Sequence, residues 1–395
     1  MKTKYFFYIF LIGLIFAAEK QPQYNFESHL FPESIAQVAE IMLFQDSNGH
    51  SEILGIFSKT DHNTPQYLAV FKTNEEERLE EIWQFDLQGF QSKSVFTSVT
   101  IGDLDGDGMH EIIASVDASL VSEDSEHSRS WLHVFEWDGS KYSQHPITSS
   151  ERISKSEKML VRPQKIEVYD FDQDGKDELI LALGSPEKKV VILSLDNGFE
   201  AMDWRVVDSL KPNEITGYMN YAMTIGDIDG DQMDDINLMI VQDDIHLISY
   251  GRLQDGTFGQ IFKQDFPWPH KNAYPTQFFT SDFDKDGLSE IVFTTNKNGI
   301  NVLHRVQNQS ALTEFRLISV STDLQKVAAM IVSSLDNQPE LWAVSRISSE
   351  LFRYQIVDGG NSPAELLFEE FIEKEPALGL GGHAHLIAGN SSNYL

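Results

Sequence analysis

Asp103-Leu104-Asp105-Gly106-Asp107-Gly108-Met109-His110-Glu111 carries three carboxylates on alternate residues and a fourth acid at the ninth position. The pattern recurs without gaps in Asp170-Phe171-Asp172-Gln173-Asp174-Gly175-Lys176-Asp177-Glu178, in Asp227-Ile228-Asp229-Gly230-Asp231-Gln232-Met233-Asp234-Asp235 and in Asp282-Phe283-Asp284-Lys285-Asp286-Gly287-Leu288-Ser289-Glu290. Self-similarity at a long, nearly regular interval marks a repeat architecture, and missing it would misjudge the whole fold.

Each copy is flanked by short runs rich in β-branched and aromatic residues. Val99-Thr100-Ile101-Gly102 leads into the first and Ile112-Ile113-Ala114-Ser115-Val116 leaves it; Phe278-Phe279-Thr280-Ser281 and Ile291-Val292-Phe293-Thr294-Thr295 do the same for the fourth. Such runs read as strands, so each acidic stretch is a loop joining two of them. Between the acidic loops, Asp138-Gly139, Asn197-Gly198, Asp255-Gly256 and Asn298-Gly299 sit between further apolar runs. These dipeptides favour tight hairpins. Each unit therefore reads as four antiparallel strands, and a radial array of such sheets is a β-propeller.

Weaker copies extend the series. Upstream, Asp46, Asn48, Gly49 and Glu52 survive, with Phe44 in the place of the first acid; downstream, Asp336 and Glu340 survive, with Val332 in that place; a last echo sets Ala377 there and His385 at position nine. The expected fold is all-β, a seven-bladed β-propeller of four-stranded antiparallel blades, with six blades as the alternative. The three degenerate units are expected to persist as blades without metal.

The DxDxDGxxE loop between strands resembles the FG-GAP/VCBS repeat of secreted proteins and of the N-terminal β-propeller of integrin α-subunits. Gly184-Ser185-Pro186 is similar to the Gly-Ala-Pro of that repeat, and Gly256-Thr257-Phe258-Gly259 to the turn carrying its Phe-Gly. The resemblance spans roughly Val38 to Asn390 and is strong in the middle four units. It implies a scaffold, with adhesion or extracellular ligand binding as the expected use.

Alternate carboxylates with a fourth acid offer the hard oxygens that calcium takes in numbers of about 6 to 8. In the first loop Asp103, Asp105, Asp107 and Glu111 would supply side chains and Met109 its carbonyl. The equivalents are Asp170, Asp172, Asp174, Glu178 and the Lys176 carbonyl; Asp227, Asp229, Asp231, Asp235 and the Met233 carbonyl; and Asp282, Asp284, Asp286, Glu290 and the Leu288 carbonyl. About four calcium sites are expected. Position six calls for a glycine with positive φ, supplied by Gly108, Gly175 and Gly287, but the third loop has Gln232. An EF-hand would need a bidentate Glu at position twelve, where Ala114, Leu181, Leu238 and Phe293 stand. Solvated acids without metal are disfavoured, because the four loops hold 18 acidic side chains whose repulsion opposes folding unless a cation compensates.

Over 395 residues, 30 Lys+Arg face 61 Asp+Glu, a net charge of −31, which argues against nucleic acid as a partner. The absence of cysteine removes disulfides, thiolate zinc sites and a cysteine nucleophile. Lys2 and Lys4 precede an apolar run from Tyr5 to Ala18, followed by Glu19-Lys20-Gln21. This has the layout of a signal peptide over 1–18, leaving 19–395 as the propeller, secreted or lumenal, with no direct membrane span. Asn308-Gln309-Ser310 and Asn390-Ser391-Ser392 are candidate glycosylation acceptors.

No Ser/His/Asp pattern, phosphate loop or zinc helix stands out, so no catalytic residue is singled out and a non-enzymatic role is expected. His383-Ala384-His385 reads as a structural or exposed pair rather than a metal site. The long connections opposite the acidic loops could carry an aromatic ligand face of Tyr218, Tyr221, Trp268, His270 and Tyr274; packing of Trp268 within a long loop is the competing reading. The expected function is an extracellular binding or adhesion module for a protein or glycan ligand. The alternatives are a carbohydrate-active enzyme or lectin, and a subunit of a membrane-associated assembly with a membrane-protein partner.

Overall fold

The computed structural model describes residues 8–13, 25–30, 37–45, 51–58, 66–73, 79–86, 96–116, 132–144, 163–183, 189–195, 204–210, 221–241, 244–253, 258–268, 275–282, 289–295, 299–306, 314–319, 327–335, 338–345, 351–357, 365–367 and 385–388. The strands β1 (Tyr8–Gly13) and β2 (Asn25–Leu30) pair antiparallel. Thus part of the stretch with signal-peptide layout is a strand here.

Six sheets then follow in chain order, each an antiparallel meander. They are β3 (Gln37–Gln45), β4 (Ser51–Ser58), β5 (Gln66–Thr73) and β6 (Leu79–Asp86); β7 (Phe96–Gly102), β8 (Glu111–Val116) and β9 (Leu132–Phe135); and β10 (Pro163–Tyr169), β11 (Glu178–Leu183), β12 (Lys189–Leu195) and β13 (Trp204–Leu210). The next three are β14 (Tyr221–Gly226), β15 (Asp235–Val241), β16 (Asp244–Arg252) and β17 (Phe258–Pro267); β18 (Pro275–Ser281), β19 (Glu290–Thr295), β20 (Ile300–Val306) and β21 (Glu314–Ser319); and β22 (Val327–Leu335), β23 (Gln338–Ser345), β24 (Leu351–Val357) and β25 (Glu365–Leu367). A last strand, β26 (His385–Ala388), lies near the C-terminus. All the elements are strands, and no helix among the described residues is long and apolar enough to cross a membrane.

By compactness the chain divides into two units, Met1–Asn213 with Gly389–Leu395, and Glu214–Ala388. Within the first, Trp83, Phe85, Val99, Ile112 and Phe135 form one apolar cluster between successive sheets, and Leu104, Ile113, Ile166, Leu179 and Val191 form the next. Within the second, Met239, Leu247, Phe266, Ile291 and Phe293 do the same. The strands β8, β11 and β19 are buried at every residue, as strands covered on both faces should be, and their sequences are correspondingly near-continuous apolar runs.

The register exposes the repeat more sharply than the sequence does. The residue that pairs with position nine is Gly102, Tyr169, Gly226 and Ser281 in the four acidic units, each immediately before the first acid. A one-residue irregularity of register recurs at the same distance before that pairing residue: at Thr97 for Gly102, Gln164 for Tyr169 and Thr276 for Ser281. The first sheet repeats it, with Ala39 and then Phe44 paired to Glu52, and the last with Ala328 and then Ser333 paired to Glu340. This corrects the alignment of both degenerate units. Phe44 holds the place of Gly102, and Gln45 that of Asp103; Ser334, not Val332, follows the residue paired with Glu340. In the last sheet β22 and β23 pair up to Leu335 and Gln338, leaving only 336–337 to connect them, too few for a nine-residue acidic loop. Ala377 lies outside the described residues.

Gly102 and Gly226 are glycine because the next sheet comes close. A Cβ on Gly102 would stand 2.6 Å from Val168 Cγ2 and 2.7 Å from Asp177 Oδ2, and one on Gly226 would overlap Thr280, whose hydroxyl donates to the Ile225 carbonyl at 2.7 Å. Gly226→Ala is expected to destabilise the fold by about 1–3 kcal/mol, the usual range for overpacking, with urea unfolding as the measurement.

Candidate metal centres

Loop one is built by its first acid. Asp103 Oδ1 accepts the N–H groups of Gly106 (2.7 Å) and Asp107 (3.1 Å), and Oδ2 accepts that of Gly108 (2.8 Å). Asp105 Oδ1 accepts Asp107 N–H at 3.1 Å, and Asp107 Oδ1 accepts Met109 N–H at 2.7 Å. Glu111, at the head of β8, turns back so that Oε2 accepts Leu104 N–H at 2.8 Å. Short acidic side chains bonding to nearby backbone are the ordinary means of stabilising a non-helical turn.

The other two complete loops repeat this bond for bond at the decisive places. Asp170 Oδ2 accepts Gly175 N–H (3.0 Å) and Asp227 Oδ2 accepts Gln232 N–H (2.9 Å). Asp174 and Asp231 accept from Lys176 (2.9 Å) and Met233 (2.8 Å). Glu178 accepts Phe171 N–H at 2.9 Å, and Asp235 accepts Ile228 N–H at 3.0 Å. Position six has positive φ throughout: 83° at Gly108, 90° at Gly175 and 69° at Gln232, so the glutamine does take the glycine conformation. Each loop has a second left-handed position. Position four is Gly106 (80°), Gln173 (60°) and Gly230 (88°), and Gln173 breaks the glycine pattern there.

Three carboxylates converge in each loop. One oxygen each from Asp103, Asp105 and Glu111 lies within 4.8 Å of the others, and the same holds for Asp170, Asp172 and Glu178 and for Asp227, Asp229 and Asp235. These are positions one, three and nine; Asp107, Asp174 and Asp231 at position five each accept a backbone N–H through Oδ1. All three clusters offer hard oxygen donors and could hold a metal ion. In the fourth loop Asp282 is half-buried and Glu290 buried, while Asp284, Asp286 and Leu288 lie outside the described residues.

The position-nine acids set the electrostatics. Glu111, Glu178 and Asp235 are 1%, 2% and 1% exposed. Burial, reinforced by three neighbouring aspartates in each case, pushes their carboxyls up to about 8, 7 and 8 against a partial offset from the backbone N–H they accept. Asp105 is raised too, first by burial, while the Lys176 ammonium pulls the other way. A cation would remove this penalty.

The first sheet meets the same problem with a built-in cation. Glu52, 2% exposed, pairs in register with Lys72 on β5, whose Nζ lies 3.7 Å from Glu52 Oε1. In the third acidic unit Gly251 stands beside Asp235, close enough that a Cβ there would overlap the carboxylate. The fourth sets His304 Nδ1 3.6 Å from Glu290 Oε1.

Of the expected ligand face, Trp268 is buried, its ring centroid 6.0 Å from that of Phe293, and belongs to the core of the second unit. That takes Trp268 out of the aromatic face and agrees with its packing reading: an indole packed against Phe293 does not stand on an exposed surface. Tyr221 opens β14, and Tyr218, His270 and Tyr274 lie outside the described residues.

No protein-family model matches the chain, and no curated protein does. Among solved structures, the periplasmic gluconolactonase of Pseudomonas aeruginosa is similar over 92% of this chain and 95% of its own, with a TM-score of 0.54 at 10% identity. A Lactobacillus plantarum protein solved as a structural-genomics target covers 90% of this chain and 94% of its own, with a TM-score of 0.49 at 10% identity. The chain is all-β, with β-propeller structural neighbours. At such identity the likeness is one of fold.

The raised carboxyls fix the sign of a pH effect. Unfolded, Glu111, Glu178 and Asp235 ionise near 4; folded without a cation, they hold their protons to about 7 or 8. The unfolded chain therefore releases protons first, and cation-free stability falls as pH rises from about 4 to 8. In chelator the melting temperature should decline across this window, and calcium should flatten the decline.

Proposed function

We propose that the chain is an exported β-propeller whose acidic loops bind calcium and brace successive blades. One observation carries this reading: three loops, separate in sequence, close in the same hydrogen-bonded form around a buried position-nine acid and two aspartates. The Asp282–Glu290 loop is proposed as the fourth site on its sequence. The FG-GAP/VCBS resemblance rests on the same loops, and the proposed blade count is seven. The leader-like segment and the fold likeness to a periplasmic protein support export.

Two uses of such a scaffold compete. In the first, loops away from the calcium sites bind an extracellular protein or glycan. In the second, the same region acts on a carbohydrate or sugar lactone, and the fold shared with a gluconolactonase favours it. No observation favours adhesion in the same way. The two part on one assay: calcium-loaded protein turning over gluconolactone supports the second, and inertness towards sugar lactones returns the reading to binding.

Calcium itself is tested by calorimetry and thermal unfolding. With a dissociation constant of roughly 0.1 mM, typical of extracellular modules, ~1 mM calcium stabilises by about 1.4 kcal/mol per site. Chelation should lower the melting temperature by several degrees, and Asp105→Asn should remove one site from the isotherm. An isotherm without calcium heat would end this reading.

A further inference from the structure

Loops one and two meet at a two-way clasp. Asp177 Oδ2 accepts the Asp103 N–H at 2.9 Å, and the Asp177 N–H donates to the Asp103 carbonyl at 2.8 Å. Asp103 is the first acid of the first cluster, whereas Asp177 immediately precedes Glu178, the buried acid of the second. The contact is tight on both flanks. Gly102 has no side chain where Asp177 and Val168 approach, and the Lys176 stem lies over Gly106, 3.0 Å from where a Cβ would stand. In sequence Asp177 reads as one more acid of its loop; in the structure its Oδ2 oxygen is turned to the peptide of the neighbouring loop.

We propose that Asp177 is a positioning residue that couples cation binding at the first loop to cation binding at the second, so that the two fill cooperatively. This rests on the reading of both loops as cation sites. A cation in the first loop draws on an oxygen of Asp103, whose carboxylate also holds the N–H groups of Gly106, Asp107 and Gly108, and so fixes the peptide that Asp177 grips. Because Asp177 and Glu178 share a peptide bond, fixing one orients the other towards the second cluster. Contacts that differ between the filled and empty states of one site are what coupling requires. In the second unit the backbone half of the clasp recurs, with the Ser289 N–H donating to the Asp227 carbonyl at 2.8 Å, where a serine replaces the aspartate.

The test is a double-mutant cycle read by calorimetric calcium isotherms on the full chain. Asp172→Asn disables the second site. If the loops are coupled, it removes one site and also weakens a second by about fivefold or more, the lower end of usual allosteric couplings. Asp177→Ser shortens the side chain away from Asp103 and should weaken the first site by itself; Asp172→Asn added to it should then weaken no other. Asp177→Asn keeps an acceptor oxygen and should restore the coupling, which general destabilisation would not. Loss of one site with all others unchanged in Asp172→Asn overturns the coupling while leaving calcium binding intact. Coupling that persists in Asp177→Ser overturns the role of Asp177. Absence of calcium binding in the unmodified chain overturns the coupling together with the site reading on which it rests.

Discussion

A buried carboxylate at the head of the second strand is the constraint on which each acidic unit depends. Glu111, Glu178 and Asp235 each reach back to a backbone N–H at position two, closing the loop that joins two core strands. The bond satisfies a buried donor, and at the same time it takes an acid out of water beside two or three other acids. The price of that closure is electrostatic, and the structure shows two ways of meeting it. In the complete loops the aspartates at positions one and three bring further oxygens to the same point, a donor set suited to a hard cation. In the first sheet Lys72 supplies an ammonium from the next strand.

This difference explains why the units degrade as they do. Gln45 stands in the place of the first acid, and the first-sheet connection is one residue shorter between its paired ends. Glu52 remains because it still has a cation. The last sheet goes further: only 336–337 separate its paired ends, so Glu340 is a strand residue within the β22–β23 pair. In the first sheet the strands persist without the first acid, because Ile53, Leu54, Ile56 and Phe57 of β4 and Leu68, Val70 and Phe71 of β5 remain buried.

Neighbouring sheets are held at the loop end by close approach rather than by large side chains. Gly102 and Gly226 admit Val168, Asp177 and Thr280, and the resulting bonds run from one loop's position-eight residue to the previous loop's first acid. Loop chemistry and sheet packing therefore meet at the same residues, which makes the acids of one unit part of the structural surroundings of the next.

The sequence by itself determined the repeat, the all-β class and a carboxylate cluster in each acidic loop, expected from positions one, three, five and nine and seen in three loops from one, three and nine, because alternating carboxylates and β-branched flanks report on local backbone geometry. It also marked position six as left-handed, even where Gln232 stands. Other features required the tertiary structure. The place of Phe44 depends on which residue pairs with Glu52, and pairing is a property of two strands. Gln173 at a positive φ has no local signal, since the loop around it imposes that conformation. Trp268 read both as loop packing and as part of an exposed aromatic face, and only its contact with Phe293 decides between the two. Asp177 counted only as one more acid of its loop, and the approach of the adjacent sheet sets its carboxylate against the Asp103 peptide.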